Sequence, residues 1–392
     1  MTLDDDSDAA ALHHSARLLD LIRQQIDAAG GTLPFDRFME LALYAPGLGY
    51  YAAGAAKLGP AGDFVTAPEI SPLFGRCIAE QCREVLAALG GGELLEFGAG
   101  SGALAAELLA TLAAGDALPN RYLILEPSPD LAARQRALLS QRLPSLIDRI
   151  QWIDALPVGR KGVVIANEVL DAMPVHRFCI GADGSPREVC VERAGAGLAE
   201  RRVQPMSAGL IDRVQQLQAD GLAREAGYCS EINLRLAPWV DAVARTLTAG
   251  MAIVIDYGYP RAEYYLAERR DGTLMCHYRH RAHTNPFVNI GLQDITAHVD
   301  FTALARAGID AGLELTGYTS QAQFLLGCGL DRHLTGADTD PAQLLSLTAG
   351  AKQLVLPSAM GERFQVMALT HDLEPPGGHW CGFSLRDLSA RL

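Results

Sequence analysis

The chain has 392 residues, 49% of them hydrophobic and 20% charged, with 39 Gly and 20 Pro, which allows two domains or one large core with insertions and excludes a disordered or collagen-like chain. Its 33 Lys and Arg against 46 Asp and Glu give a formal net charge of −13, which argues against nonspecific grip on phosphate backbones, so no nucleic-acid partner is expected. No run approaches the ~20 apolar residues that cross a bilayer, and the opening MTLDDDSDAA is acidic where export and import signals are basic, so the expectation is a soluble, cytoplasmic protein without membrane insertion.

In chain order, residues 1–90 read as a helical segment carrying a glycine-rich loop. One amphipathic run ends before Gly30-Gly31, and a second covers Leu33–Ala45, with Thr32 as a possible cap and Pro46-Gly47 as its stop. The stretch 47–71 holds many Gly and Pro residues yet also aromatic and acidic side chains, a mix suited to a functional loop. Helix resumes at Pro72 and runs to Gly90-Gly91-Gly92.

From residue 93 short apolar runs alternate with helical stretches, as in an α/β fold with a doubly wound parallel sheet. Predicted strands are Glu93–Phe97, Tyr122–Glu126, Gly162–Ala166 and Met251–Asp256. The expected organisation is a first core part at 91–175, a β-rich insertion at 176–230 with a β-hairpin within 176–206, and a second core part at 231–370. That second part holds a predicted helix at 231–248, an aromatic, basic loop at 259–299, a helix near 301–311, a strand at Leu313–Tyr318, a helical excursion at 320–353 and a last strand at Arg363–Thr370. Residues 371–392 read as a tail. The eight cysteines are scattered without a CxxC pair and are expected to be buried free thiols rather than disulfide or zinc ligands.

The sharpest chemical signal is the strand Glu93–Phe97 running into Gly98-Ala99-Gly100-Ser101-Gly102 and then a helix from Ala103. Glycines let the backbone turn tightly and approach a nucleotide where a Cβ would intrude. Ala103 also satisfies the last position of a dinucleotide-binding G-x-G-x-x-G/A motif, so NAD or FAD must be weighed. Glu96, two residues before the first glycine, could hold a cationic ligand group and would repel a pyrophosphate. Glu126, at the tip of the second strand, could accept both hydroxyls of a ribose, a feature shared with NAD sites.

E-x-G-x-G-x-G followed by a strand-end Glu resembles the class I S-adenosylmethionine-dependent methyltransferases. That resemblance implies S-adenosylmethionine as cofactor, with Gly98, Gly100 and Gly102 under its methionine end and ribose and Glu126 on the ribose hydroxyls. It also implies Asp154, in Gln151–Leu156, on the adenine amino group, although a helix cap is an equal alternative for Asp154. Four further motifs, GDFVTAPEISPLFG (62–75), ANEVLDAMPV (166–175), IDYGY (255–259) and NIGLQDITAHVDF (289–301), together resemble the family of the mitochondrial complex I assembly methyltransferase and its bacterial relatives, over roughly residues 32–370. The fold so implied is a Rossmann-like seven-stranded methyltransferase sheet with an N-terminal helical cover and insertions. The implied activity is methylation of arginine on a protein partner.

Asn167, Glu168 and Asp171 stand at the end of the strand expected beside the glycine-loop strand, where Glu168 and Asp171 could orient a guanidinium. The alternative is that Glu168 begins a helix and Asp171 serves as a local cap. Asp256 and Tyr257 could complete the wall, and Asp63 and Thr66 could contact the cofactor as the 47–71 loop closes. His277, His280 and His283 recur every third residue but lie among arginines and before Pro286, so no metal site is expected there. Ser101 lies in Gly-Ser-Gly, but Ala99 and Ala103 occupy the positions where the G-x-S-x-G elbow of a hydrolase needs glycine. A noncatalytic scaffold that keeps a cofactor site, and a nucleotide-dependent oxidoreductase, are the alternatives.

Overall fold

The structure is a computed structural model that describes residues 5–52, 66–334 and 340–392. The described residues form two compact units from interleaved stretches, one from 5–52, 171–235 and 261–298 and the other from 66–170, 236–260, 299–334 and 340–392.

The second unit is built on one sheet whose principal strands are β1 (Glu93–Phe97), β2 (Tyr122–Leu125), β3 (Ile150–Ile153), β4 (Arg160–Asn167), β5 (Leu247–Tyr259), β6 (Glu314–Ser320) and β7 (Phe364–His371). Their spatial order is β6-β7-β5-β4-β1-β2-β3. β1 to β5 are parallel neighbours, and β7 runs antiparallel to both β5 and β6. A two-residue strand, Val299–Asp300, pairs with the end of β5, which makes the sheet eight-stranded rather than seven-stranded. The chain fills one side of β1 with β2 and β3 and then returns to its other side with β4. The reversal of strand order therefore falls between β1 and β4, the position at which open α/β sheets form a crevice beyond the strand ends.

Helices cover both faces because alternate strand residues are apolar on both. On one face, helices α1 (Pro72–Leu89) and α2 (Ala103–Ala114) pack Phe74, Ile78, Val85, Leu104 and Leu108 against Leu94, Ile124, Ile165 and Ile253, each such burial contributing roughly 1.5–3 kcal/mol. α1 starts where the Ser71 hydroxyl accepts from the Leu73 N–H, has Pro72 in its first turn, and stops at Gly90 in left-handed backbone. On the other face, Trp239 of helix α4 (Leu236–Thr246) meets Phe97, ring centroids 5.2 Å apart. Helix α3 (Pro129–Arg142) follows β2 and is capped by the Ser128 hydroxyl. Trp380 and Phe383, in the stretch read as a tail, belong to the core.

The first unit contains a five-stranded antiparallel sheet in the order Leu33–Pro34, Pro186–Ala194, His176–Ile180, Cys229–Ile232, with Gly197–Val203 paired to Pro186–Ala194. The hairpins expected within 176–206 are present. Leu33–Pro34, read as the start of a helix, instead pairs with Val191 and Cys190, and the helix begins at Phe35. Proline in place of a capping side chain leaves those two residues free to extend. The 259–299 stretch is not a plain loop: Met275–Tyr278 pairs on its two sides with Arg281–His283 and Asp294–Thr296. His277 and His283 sit on two strands of that small sheet. Cys179 and Cys229 lie opposite each other on paired strands and form a disulfide, contrary to the expectation that all eight cysteines are free. Fifty residues of sequence separate the two, and only strand pairing brings them together.

Candidate active site

The glycine turn leaves β1 with Gly98, Gly100 and Gly102 at φ 55°, 55° and 87°, all in left-handed backbone. An L-residue resists this region by about 1–2 kcal/mol. The turn is tied down from within: Gly98 N–H donates to Leu125 O at 2.9 Å, and Gly102 N–H to Ala99 O at 2.7 Å. Among the described residues, a Cβ at Gly98 would meet nothing within 4 Å, whereas one at Gly102 would lie 3.4 Å from Leu138 of α3. Gly98 therefore borders open space, and Gly102 allows α3 to pack close. The α2 N-terminus that follows presents backbone N–H groups and the positive end of its dipole.

Two carboxylates flank this turn. Glu126 accepts from the Ser128 N–H at 2.9 Å on one oxygen and from the Gln135 side-chain amide at 2.9 Å on the other. A carboxylate has about four lone-pair positions, so each oxygen keeps one for a further donor, the arrangement that suits a vicinal diol. Burial pushes the Glu126 carboxyl above its usual range, opposed by those two hydrogen bonds.

Glu96 is 3% exposed and accepts from the Tyr122 hydroxyl at 2.7 Å. Burial raises its pKa to about 7 against the Tyr122 hydrogen bond, and the negative charge of Glu126 adds to the rise. Between pH 4.5 and 7 the folded protein keeps a proton that the unfolded chain has released, so stability falls as pH rises through that window. By pH 8 the charged form costs on the order of 3 kcal/mol. Glu96→Gln is therefore expected to be more stable than the wild type at pH 8, with the gain shrinking toward pH 5. Urea unfolding at the two pH values checks this, and a gain independent of pH would contradict it.

Gln135, fully buried on α3, joins the parts of this site. Its amide donates to Gly100 O at 3.0 Å and to Glu126 at 2.9 Å, and its carbonyl accepts from the Trp152 indole N–H at 2.9 Å. The Arg136 guanidinium lies over the Trp152 ring, 4.2 Å from its centroid. Asp154 follows β3 directly, exposed and outside any helix, so the helix-cap alternative does not apply to it.

At the end of β4, Asn167 pairs with Ile255 in β5, and its amide donates to Glu168 Oε1 at 3.3 Å. Asn167 Oδ1 is buried and accepts no hydrogen bond among the described residues. Glu168 begins no helix. Its φ is 52°, and its N–H donates to Ile255 O at 2.9 Å, which continues the ladder into a left-handed turn. Asp256, fully buried, accepts from the Leu170 N–H at 3.0 Å and from the Tyr257 N–H at 2.9 Å. It holds the segment after Glu168 in place.

Asp171 belongs to the other unit, where it is buried and its carbonyl accepts from the Ala297 N–H at 2.9 Å. In that unit its charge helps raise the Tyr44 and Tyr51 hydroxyls, chiefly an effect of burial. Those rings stack 5.5 Å apart, and Tyr51 donates to Asp294 at 3.0 Å. Residues 53–65 of the expected lid, Asp63 included, lie outside the described residues. Thr66 takes the cap position of the short helix Ala67–Ile70 without using its side chain as the cap. Among the described residues, no group of three or more His, Cys, Asp and Glu could hold a metal ion.

Sequence reasoning passed over Gln135 and Tyr122. The one signal in the sequence for Gln135 is its position four residues before Leu139, which is the other buried residue of that helix.

A family profile described as S-adenosyl-L-methionine-dependent methyltransferase matches residues 77–319. A Danio rerio protein named protein arginine methyltransferase NDUFAF7, mitochondrial, is 27% identical over 372 residues, spanning 87% of this chain and 84% of its own length. The Homo sapiens protein of that name is 27% identical over 382 residues, spanning 89% and 82%. Among solved structures, a Burkholderia thailandensis protein crystallised with S-adenosyl-homocysteine superposes with a TM-score of 0.92 at 42% identity over 100% of both chains. These findings favour neither the scaffold nor the oxidoreductase alternative. The cytoplasmic setting expected from the acidic opening is overturned, because the curated relatives are mitochondrial proteins; local charge at one end of a chain does not fix its compartment.

Proposed function

Because this chain belongs to the S-adenosyl-L-methionine-dependent methyltransferase family, we propose that it transfers the methyl group to an arginine guanidinium on a protein partner. The enzyme uses S-adenosylmethionine, which when bound supplies an electrophilic methyl group on a sulfonium. The residues of the second unit fit that cofactor. The glycine turn borders open space, Glu126 keeps two acceptor positions for ribose hydroxyls, Asp154 is exposed beside Trp152 for the adenine amino group, and Glu96 supplies a carboxylate for the ammonium. The buried Glu96 is protonated in part near pH 7, so a cation beside it would draw out that proton. Thr66, before the short helix Ala67–Ile70, is kept as a polar contact for the cofactor.

The acceptor reading rests on Glu168, a carboxylate held in left-handed backbone where the strand next to the glycine-loop strand ends. Unfavourable backbone of this kind is retained where a side chain must point in one direction. A guanidinium stays cationic at neutral pH, and its charge is delocalised over three nitrogens. A carboxylate paired to it orients one nitrogen and draws charge onto the others, while proximity and exclusion of water do most of the remaining work. Asn167, with its unused acceptor, is suited to a guanidinium N–H. Asp171 is assigned on its own unit alone, as a carboxylate suited to a cationic group, since aromatic faces and carboxylates both favour a cation. The curated relatives named protein arginine methyltransferases support the same substrate class.

The test offers the purified enzyme a pool of arginine-containing peptides and the same pool with lysine at each arginine, with methyl-labelled S-adenosylmethionine. Label is expected in the first pool alone, and equal label in both would refute the assignment. Glu126→Ala is expected to weaken S-adenosyl-homocysteine binding by about 1.5–3 kcal/mol, as for loss of a charged hydrogen-bond partner. Calorimetry reads this, and unchanged affinity would remove Glu126 from the site.

A further inference from the structure

We propose that Gln135 is a positioning residue that sets the ribose-binding geometry of Glu126 and locks it to the glycine turn, an inference that rests on the reading of Glu126 as the ribose ligand. A free carboxylate on a strand-end loop rotates, and a diol needs both oxygens in one fixed plane. Here each oxygen is pinned by one donor, the Ser128 N–H on one and the Gln135 amide on the other. The second N–H of the same amide grips Gly100 O, and its carbonyl is held by the Trp152 indole. Every hydrogen-bonding direction that fixes the amide's orientation is thus in use, so the side chain cannot flip without breaking two or three bonds at once. One buried side chain thereby couples the ends of β1, β2 and β3.

Gln135→Met keeps volume and removes the polar atoms. It is expected to weaken S-adenosyl-homocysteine binding roughly tenfold, the lower bound for loss of a hydrogen bond to a charged group. A merely structural role would weaken all ligands alike, so the same titration is made with the 2′,3′-dideoxyribose analogue of S-adenosyl-homocysteine. The affinity of that analogue is expected to change less than about twofold, and Gln135→Met is expected to add little in a Glu126→Ala background, because coupled residues are not additive. Thermal unfolding of each variant confirms that the fold is kept, and Gln135→Leu serves as a second variant if Gln135→Met does not fold. If Glu126→Ala weakens binding and Gln135→Met does not, or if Gln135→Met weakens both ligands equally, the positioning role is refuted while the ribose reading stands. If Glu126→Ala leaves binding unchanged, the ribose reading itself fails.

Discussion

Glu168→Gln is expected to reduce methyl transfer by about 10²-fold or more, the lower range for loss of a positioned charged group, while S-adenosylmethionine affinity stays within about tenfold. The substitution keeps the shape and the backbone but removes the charge that would pair with a guanidinium. The left-handed φ of 52° supplies an internal control. Glu168→Gly relieves that backbone and Glu168→Ala does not, so the glycine variant should be the more stable of the two by about 1 kcal/mol, though both lose transfer. A residue kept for structure would show the reverse, with stability falling and transfer unchanged. Single-turnover transfer with saturating cofactor, alongside chemical unfolding, separates the two. Wild-type transfer by Glu168→Gln would make this carboxylate structural.

Gly100→Val is expected to abolish cofactor binding. Gly100 has φ 55°, where a β-branched residue is a strong outlier, and its carbonyl accepts from Gln135. Valine would therefore either shift the turn, losing the Gln135 bond, or hold the strained backbone at about 1–3 kcal/mol while placing a branched side chain in the glycine turn. Gly100→Ala meets the same backbone cost with less bulk and should fall between. Calorimetry with S-adenosyl-homocysteine is the measurement, and wild-type affinity in Gly100→Val would show that the cofactor does not approach this turn.

The parts of this molecule that could be read from sequence are those whose signal is local. β1, β2, β4, β5, β6 and β7 were marked by short apolar runs, and the turn at 98–102 by glycine spacing that backbone conformation alone explains. Glu126 could be placed because a strand end fixes where its side chain starts. The rest depends on contacts distant in sequence. Cys179 and Cys229 meet only through strand pairing, and Met275–Tyr278 becomes a strand only because Arg281–His283 and Asp294–Thr296 pair with its two sides. Asp256 sits on β5 as expected, yet it anchors the turn after Glu168, 86 residues earlier in its bond to Leu170. Gln135 is one of several polar residues on its helix, and its role emerges only when Gly100, Glu126 and Trp152 converge on it.

The most direct measurement incubates the purified enzyme with methyl-labelled S-adenosylmethionine and an extract of cells lacking its gene, then hydrolyses the labelled protein and identifies the methylated amino acid. The account predicts label in methylated arginine of one or a few proteins, lost with Glu168→Gln and with Gly100→Val. Label confined to small molecules, or carried by another amino acid, would contradict it.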